Sequence, residues 1–206
     1  MIRREKREQA IPLILLLVSL LISSCSPSPK KLIAKPYTAV YDVASPRRGV
    51  LSAVRMSDGN GKFRTEINKD DGKVEIKILD ASGLKVTTLY PDSKVYVERD
   101  MEEHEADISE SFDGVAFDSP KAPIWKYLSS GKVGNYKTQL WRQDQGGGNF
   151  TRTVNMQFGE DIGCPVSLQF FESDTPQETV TYTLKELNSA KPEASNFIPP
   201  NDYQKK

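Results

Sequence analysis

From residue 37 onward apolar and polar side chains alternate with a period of two, the pattern of strands with one buried and one wet face. Phe63, Thr65 and Ile67 alternate with Lys62, Arg64, Glu66 and Asn68, and Val74, Ile76 and Ile78 alternate with Lys73, Glu75 and Lys77. Turn-forming clusters separate the runs: Asp58-Gly59-Asn60-Gly61, Asp70-Asp71-Gly72, Ser82-Gly83 and Pro91-Asp92-Ser93. The pattern predicts strands near 37–44, 48–57, 62–69, 73–80, 84–90 and 94–100. Such tight spacing makes each strand pair with its sequence neighbour, giving an antiparallel meander. No strand–helix alternation is present, which disfavours a doubly wound nucleotide fold.

Residues 98–118 break the alternation. Glu98, Asp100, Glu102, Glu103, Glu105, Asp107, Glu110, Asp113 and Asp118 face only Arg99 and His104 there. The spacing matches no EF-hand loop and predicts a solvated acidic segment. Ile124, Trp125 and Leu128 then fall at i, i+1 and i+4, which predicts a short amphipathic helix over Pro123–Leu128, ended by Gly131. Strands resume near 134–143, 149–158, 165–172 and 178–187. Phe150, Val154, Met156 and Phe158 share one face, as do Val166, Leu168 and Phe170, and Val180, Tyr182 and Leu184. Arg152 interrupts the first set and is expected at the sheet rim, its guanidinium reaching water. Gly146-Gly147-Gly148 has no lysine–serine sequel or following helix and is no phosphate loop.

Ahead of this body stands a different kind of sequence. Met1–Ala10 is basic, Ile11–Ile22 is unbroken apolar sequence, and the small residues Ser23 and Ser24 precede Cys25. The apolar run is too short to cross a hydrocarbon core of about 30 Å as a helix, and the order is that of an export signal. Ile22-Ser23-Ser24-Cys25 resembles the bacterial lipobox, in which small residues admit the signal peptidase and the cysteine thiol forms a thioether to diacylglycerol. The expected division is a signal peptide at 1–24, a lipidated Cys25 with a Ser/Pro tether at 25–36, and a β domain at 37–206. Acyl chains such as palmitate on Cys25 would hold the protein on a membrane of the bacterial cell envelope. Ser26, where aspartate would retain a lipoprotein at the inner membrane, implies the outer membrane facing the periplasm in a Gram-negative cell.

Charge and chemistry narrow the function. Lys+Arg and Asp+Glu balance at 28 each in 206 residues, so the basic surplus of a nucleic-acid binder is missing. One histidine and two cysteines argue against a metal site, and no cofactor motif is present. His104 lies among carboxylates without a patterned nucleophile, and Ser52, Ser57 and Ser167 sit in no Gly-x-Ser-x-Gly elbow. Cys164, beside Pro165, reads as a small buried hydrophobe. No catalytic residues are expected.

The ending Phe197-Ile198-Pro199-Pro200-Asn201-Asp202-Tyr203-Gln204-Lys205 resembles the closing segment of LolA-like proteins, the family of outer-membrane lipoprotein sorting. Asp92-Ser93-Lys94-Val95-Tyr96, Gly134-Asn135-Tyr136-Lys137 and Ile162-Gly163-Cys164-Pro165-Val166 are similar, in the same order, to family hairpin and strand-start motifs. The resemblance spans about 37–205. It implies a mainly β (α+β) fold, a curved antiparallel meander of about ten strands forming an unclosed half-barrel. A short helical lid over 98–130 would cover its concave face, leaving a cavity suited to acyl chains. The chain departs from the soluble carriers in its tether at Cys25 and in lacking their N-terminal lid helix.

Two functions stay open at this stage, besides the least favoured, an unrecognised hydrolase working through His104. One is a tethered module binding an acyl chain, lipid or lipoprotein, its cavity lined by Phe63, Ile76, Ile78, Trp125, Leu128, Phe150, Met156, Phe158, Phe170 and Tyr182. The other is a protein-interaction or sensing module with a closed core and a partner that the sequence does not identify.

Overall fold

The computed structural model describes residues 35–46, 49–69, 71–101, 125–145, 152–172 and 179–206, all within the unit Lys31–Lys206. The alternating runs become strands β1 (Pro36–Ser45), β2 (Gly49–Asp58), β3 (Lys62–Asn68), β4 (Val74–Asp80), β5 (Lys85–Tyr90) and β6 (Val95–Asp100). Then follow β7 (Lys126–Val133), β8 (Tyr136–Gln145), β9 (Arg152–Gly159), β10 (Cys164–Glu172), β11 (Val180–Asn188) and the short β12 (Gln204–Lys205). They form a single sheet in the order β12-β6-β5-β4-β3-β2-β1-β11-β10-β9-β8-β7. Each half is a meander of sequence neighbours. The halves join where β1 pairs antiparallel with β11, and β12 returns parallel to β6. The sheet is not closed into a barrel.

Two strands exceed the ten that the pattern predicts, and one replaces the expected helix. From Lys126 the chain is extended and pairs with β8, placing Tyr127 opposite Trp141 and Val133 opposite Tyr136. Ser129, Ser130 and Gly131 are poor helix formers. Gly134, at φ +55°, makes the two-residue turn that folds β7 back on β8. The expected helical lid is therefore not found: among the described residues the helical pieces are 3-10 turns such as Pro91–Ser93 and Ala194–Phe197. Within the expected lid, residues 98–100 belong to β6 and 126–130 to β7, while 102–124 lie outside the described residues.

Directly paired residues project to the same side of a sheet, so register assigns each side chain a face. One cross-strand row runs Trp141, Met156, Leu168, Tyr182, Val43 and Leu51. On the same side stand Tyr37, Tyr41, Phe63, Leu79 and Val86. This is the Tyr37 face, and its largest core cluster crosses the seam between the two meanders. The opposite, Ile76 face carries Ile76, Ile78 and Leu89, which pack with Phe197.

The family-like ending has a definite task on that second face. After β11 the chain crosses to β6, and Phe197, 5% exposed, sits on Ile76, Ile78 and Leu89. Met56, Val74, Tyr96 and Tyr203 complete the cluster. Arg64 Nη1 donates to the Asn196 carbonyl at 3.1 Å. Gln204 N–H donates to the Lys94 carbonyl at 2.9 Å, and Lys206 N–H to that of Tyr96 at 3.0 Å. Exposed pairs Lys94–Asp202 and Lys205–Glu98 flank the strap.

Candidate functional site

The structure divides the sequence-predicted cavity residues between places. Phe63, Met156, Phe158, Phe170 and Tyr182 share the Tyr37 face and are buried there. Trp125, just before β7, packs against the cluster of Met156, Phe158, Phe170 and Tyr182 and is half-buried, while Phe63 belongs to a separate cluster with Leu79 and Val86. Ile76 and Ile78 do not join them. β3 and β4 pair Phe63 with Leu79 and Arg64 with Ile78, so Leu79 is the inward residue and Ile76 and Ile78 point to the other side. Leu128 lies in an irregularity of β7 between Tyr127 and Ser129 and is 49% exposed, away from any core cluster. The Phe150 side chain, that of Arg152, and Ile22, Ser23, Ser24 and Cys25 lie outside what is described, as does His104.

The face is apolar but not uniformly so. Arg55 on β2 is completely buried. Its Nε donates to Tyr37 Oη at 2.9 Å and its Nη1 to Thr65 Oγ1 at 3.3 Å. The guanidinium carbon lies 4.7 Å from the Phe63 ring centroid. Burying a guanidinium is costly, and hydroxyl acceptors and an aromatic face offset part of that cost. At the other end, β8 places Gln139, Trp141 and Gln143 on the same side, opposite Phe158, Met156 and Val154. Gln139 and Gln143 are buried. The alternation contained these positions, but polar residues inside a strand pattern read as solvent-facing, so neither Arg55 nor the glutamines stood out.

Between these ends the face is a packed aromatic and aliphatic field. Phe170 and Tyr182 meet edge to face, with centroids 5.5 Å apart and planes at 67°, a geometry worth about 0.5–1.5 kcal/mol beyond burial. Tyr41 donates its hydroxyl to the Pro165 carbonyl at 2.8 Å. Gly163 supports that corner: at φ +70° it lies against the chain leading into β1, and a Cβ there would come within 2.6 Å of Lys35 Cγ.

Burial suppresses ionisation of two tyrosine hydroxyls and one thiol in this cluster. It raises the Tyr37 hydroxyl to about 12, a rise partly opposed by Arg55, and pushes the Cys164 thiol to about 12. The Tyr41 hydroxyl is also raised, again through burial. Cys164 is buried and free, as expected of a small hydrophobe and not of a nucleophile. Because the folded state holds both groups neutral, the unfolded chain loses these protons first. Stability is then fully present below about pH 9 and is lost as pH rises from 9 toward 12. Urea unfolding midpoints should be level from pH 7 to 8.5 and fall steeply above pH 9.5, and Cys164→Ala should shallow that fall. At pH 8 Cys164 should resist iodoacetamide until the protein is denatured. Rapid labelling of the native protein would contradict the packing described here.

No protein-family model matches the sequence, and no curated protein sequence matches it. Solved structures do. An uncharacterised conserved protein from Thermus thermophilus is similar with a TM-score of 0.52 at 10% identity, over 94% of this chain and 98% of the other. That likeness is one of fold. Weaker likenesses, under a TM-score of 0.5, extend to an outer-membrane lipoprotein-sorting protein domain from Vibrio parahaemolyticus and to the MucA/MucB complex of Pseudomonas aeruginosa. The first has a TM-score of 0.42 at 8% identity over 79% of this chain and 89% of the other. The second has a TM-score of 0.43 at 11% identity over 81% and 56%.

Proposed function

We propose that this protein is a non-enzymatic, lipid-anchored module of the bacterial envelope that binds a hydrophobic or amphiphilic ligand on its Tyr37 face. The observation that carries the proposal is that face itself. An apolar row crosses six strands from Trp141 to Leu51, yet it is bracketed by buried polar side chains, Arg55 at one end and Gln139 and Gln143 at the other. A closed core gains nothing from burying such groups. An amphiphile, with a chain and a polar end, uses both. The anchor follows from Ile22-Ser23-Ser24-Cys25, and it would keep the module at the membrane where such molecules reside. LolA-like lipoprotein sorting supplies the same ligand class by analogy.

The protein-interaction reading draws on a different feature. Among the described strands β7 is an edge, with six of its eight residues exposed, Leu128 among them, and such an edge can accept a further strand. Native mass spectrometry of the full-length protein taken from its own membrane distinguishes the two. The expected result is one retained amphiphile per chain, and a saturable change in tryptophan fluorescence on titration with fatty acid, altered in both Trp125→Phe and Trp141→Phe. No retained molecule and no response to any fatty acid or phospholipid would overturn ligand binding and leave the edge-strand interaction.

A further inference from the structure

We propose that the Gln139–Trp141–Gln143 row of β8 takes the uncharged, hydrogen-bonding head group of an amphiphile, bearing hydroxyls or an amide, while its chain lies on the apolar row from Met156 to Tyr182. This rests on the ligand-binding function proposed above and specifies its polar end. Successive inward positions on a strand are about 6.6–6.8 Å apart, so the three side chains span roughly 13 Å on one side of the sheet. Gln139 is 1% and Gln143 5% exposed. Among the described residues, the Oε1 atoms of both, and Nε1 of Trp141 between them, are buried and have no hydrogen-bond partner. Gln139 donates its amide nitrogen to Glu160 Oε1 at 3.4 Å, which turns its oxygen the other way. The row therefore offers acceptor, donor, acceptor in sequence. Buried polar atoms in native proteins are nearly always paired, and three in one row on one face call for a common partner.

The chemistry of that partner follows from the charges around the row. Its members are neutral, and among the described residues the charged side chain hydrogen-bonded to it is the Glu160 carboxylate, which disfavours a phosphate or carboxylate beside it. Lys137, at the next position on the same side, and Lys132 opposite it are exposed, so their charge is solvated. Hydroxyls or an amide can give a proton to each glutamine oxygen and take one from the indole. Tyr127, paired opposite Trp141 with ring centroids 5.6 Å apart, adds an aromatic flank. The row also lies one strand in from β7, the last of the described strands at that end of the sheet.

The test uses the full-length lipidated protein in phosphatidylcholine nanodiscs, titrated with decyl glucoside, decanoate or decyl phosphate and followed by tryptophan fluorescence against empty discs. Decyl glucoside should bind about tenfold more tightly than either charged probe. Gln139→Met and Gln143→Met should each weaken glucoside binding about tenfold, one hydrogen bond's worth, and leave the charged probes within about twofold. The Gln143→Met unfolding midpoint should be unchanged or higher, since an unmet acceptor is removed, whereas Gln139→Met also gives up the bond to Glu160. Should either variant misfold, Gln143→Asn, which keeps the amide but shortens its reach, must show the same selective loss. Binding of all three probes without preference, a preference for decyl phosphate, or a glucoside preference surviving in the variants would overturn the assignment while ligand binding stands. If no probe binds, the ligand-binding function falls and the row with it.

Discussion

Replacing Phe197 with alanine is expected to lower the thermal unfolding midpoint by roughly 10 °C. The side chain is 5% exposed and fills the cluster of Ile76, Ile78 and Leu89. Truncating a buried phenylalanine costs about 3–5 kcal/mol, and in a domain of this size each kcal/mol moves the midpoint by roughly 2–4 °C. The loss should exceed that of an isolated core residue, because Phe197 also seats the segment that places Asn196 against Arg64 and delivers β12 to β6. Coupling separates this role from simple bulk. Ile78→Ala alone should cost about 2–5 kcal/mol, and the Phe197→Ala/Ile78→Ala double variant should fall short of the sum by about 1 kcal/mol or more, as for residues in contact. Strict additivity, or a midpoint shift below 2 °C, would mean that the tail does not close the Ile76 face. Ligand binding on the Tyr37 face should be little changed in Ile78→Ala, since Ile78 points away from it.

That pair of residues also marks where the sequence was and was not legible. Strand positions were readable because the period of two is enforced by a sheet with differently exposed faces, and nine expected strands recur within a residue or two. Which face each strand presents was not readable in β4. Val74, Ile76 and Ile78 alternate correctly, but Leu79 follows directly, so both sides of the strand end apolar and only the pairing with β3 decides between them. A one-residue change of register exchanges the faces completely. The apolar stripe of β4 belongs to the tail, and the tail's own motif, Phe197 to Tyr203, gave no indication of the surface it would cover.

β7 escaped for a related reason. Trp125 and Leu128 have a spacing that suits a helix turn, but the run is short, and short apolar runs do not distinguish helix from strand. An edge strand with one neighbour needs no alternating apolar face, and most of β7 is exposed. The buried polar groups were the least legible of all. Arg55, Gln139 and Gln143 occupy inward positions where a pattern reader expects apolar residues. Local rules fail most informatively where function competes with packing, and these three are where the Tyr37 face departs from an ordinary core.

Replacing Cys25 with alanine should abolish acylation and with it the lipid anchor. Ile22-Ser23-Ser24-Cys25 ends an apolar run behind a basic start, and only the cysteine thiol can take diacylglycerol in thioether linkage. Each buried methylene contributes about 0.8 kcal/mol, so a single chain holds a protein marginally and two or three hold it stably; without the thiol no chain is attached. Cells expressing the wild-type protein and given labelled palmitate should yield one labelled band in the membrane fraction. Cys25→Ala should yield no label, and an uncleaved precursor larger than the mature chain by the mass of residues 1–24. Ser26→Asp provides a second, independent measurement. It should keep label and cleavage but move the protein from the outer to the inner membrane in a host with both, because only the residue that follows the lipidated cysteine has changed. Label retained in Cys25→Ala, or a wild-type protein cleaved elsewhere and recovered free of membrane, would remove the anchor. The proposed ligand would then have to reach the Tyr37 face in solution.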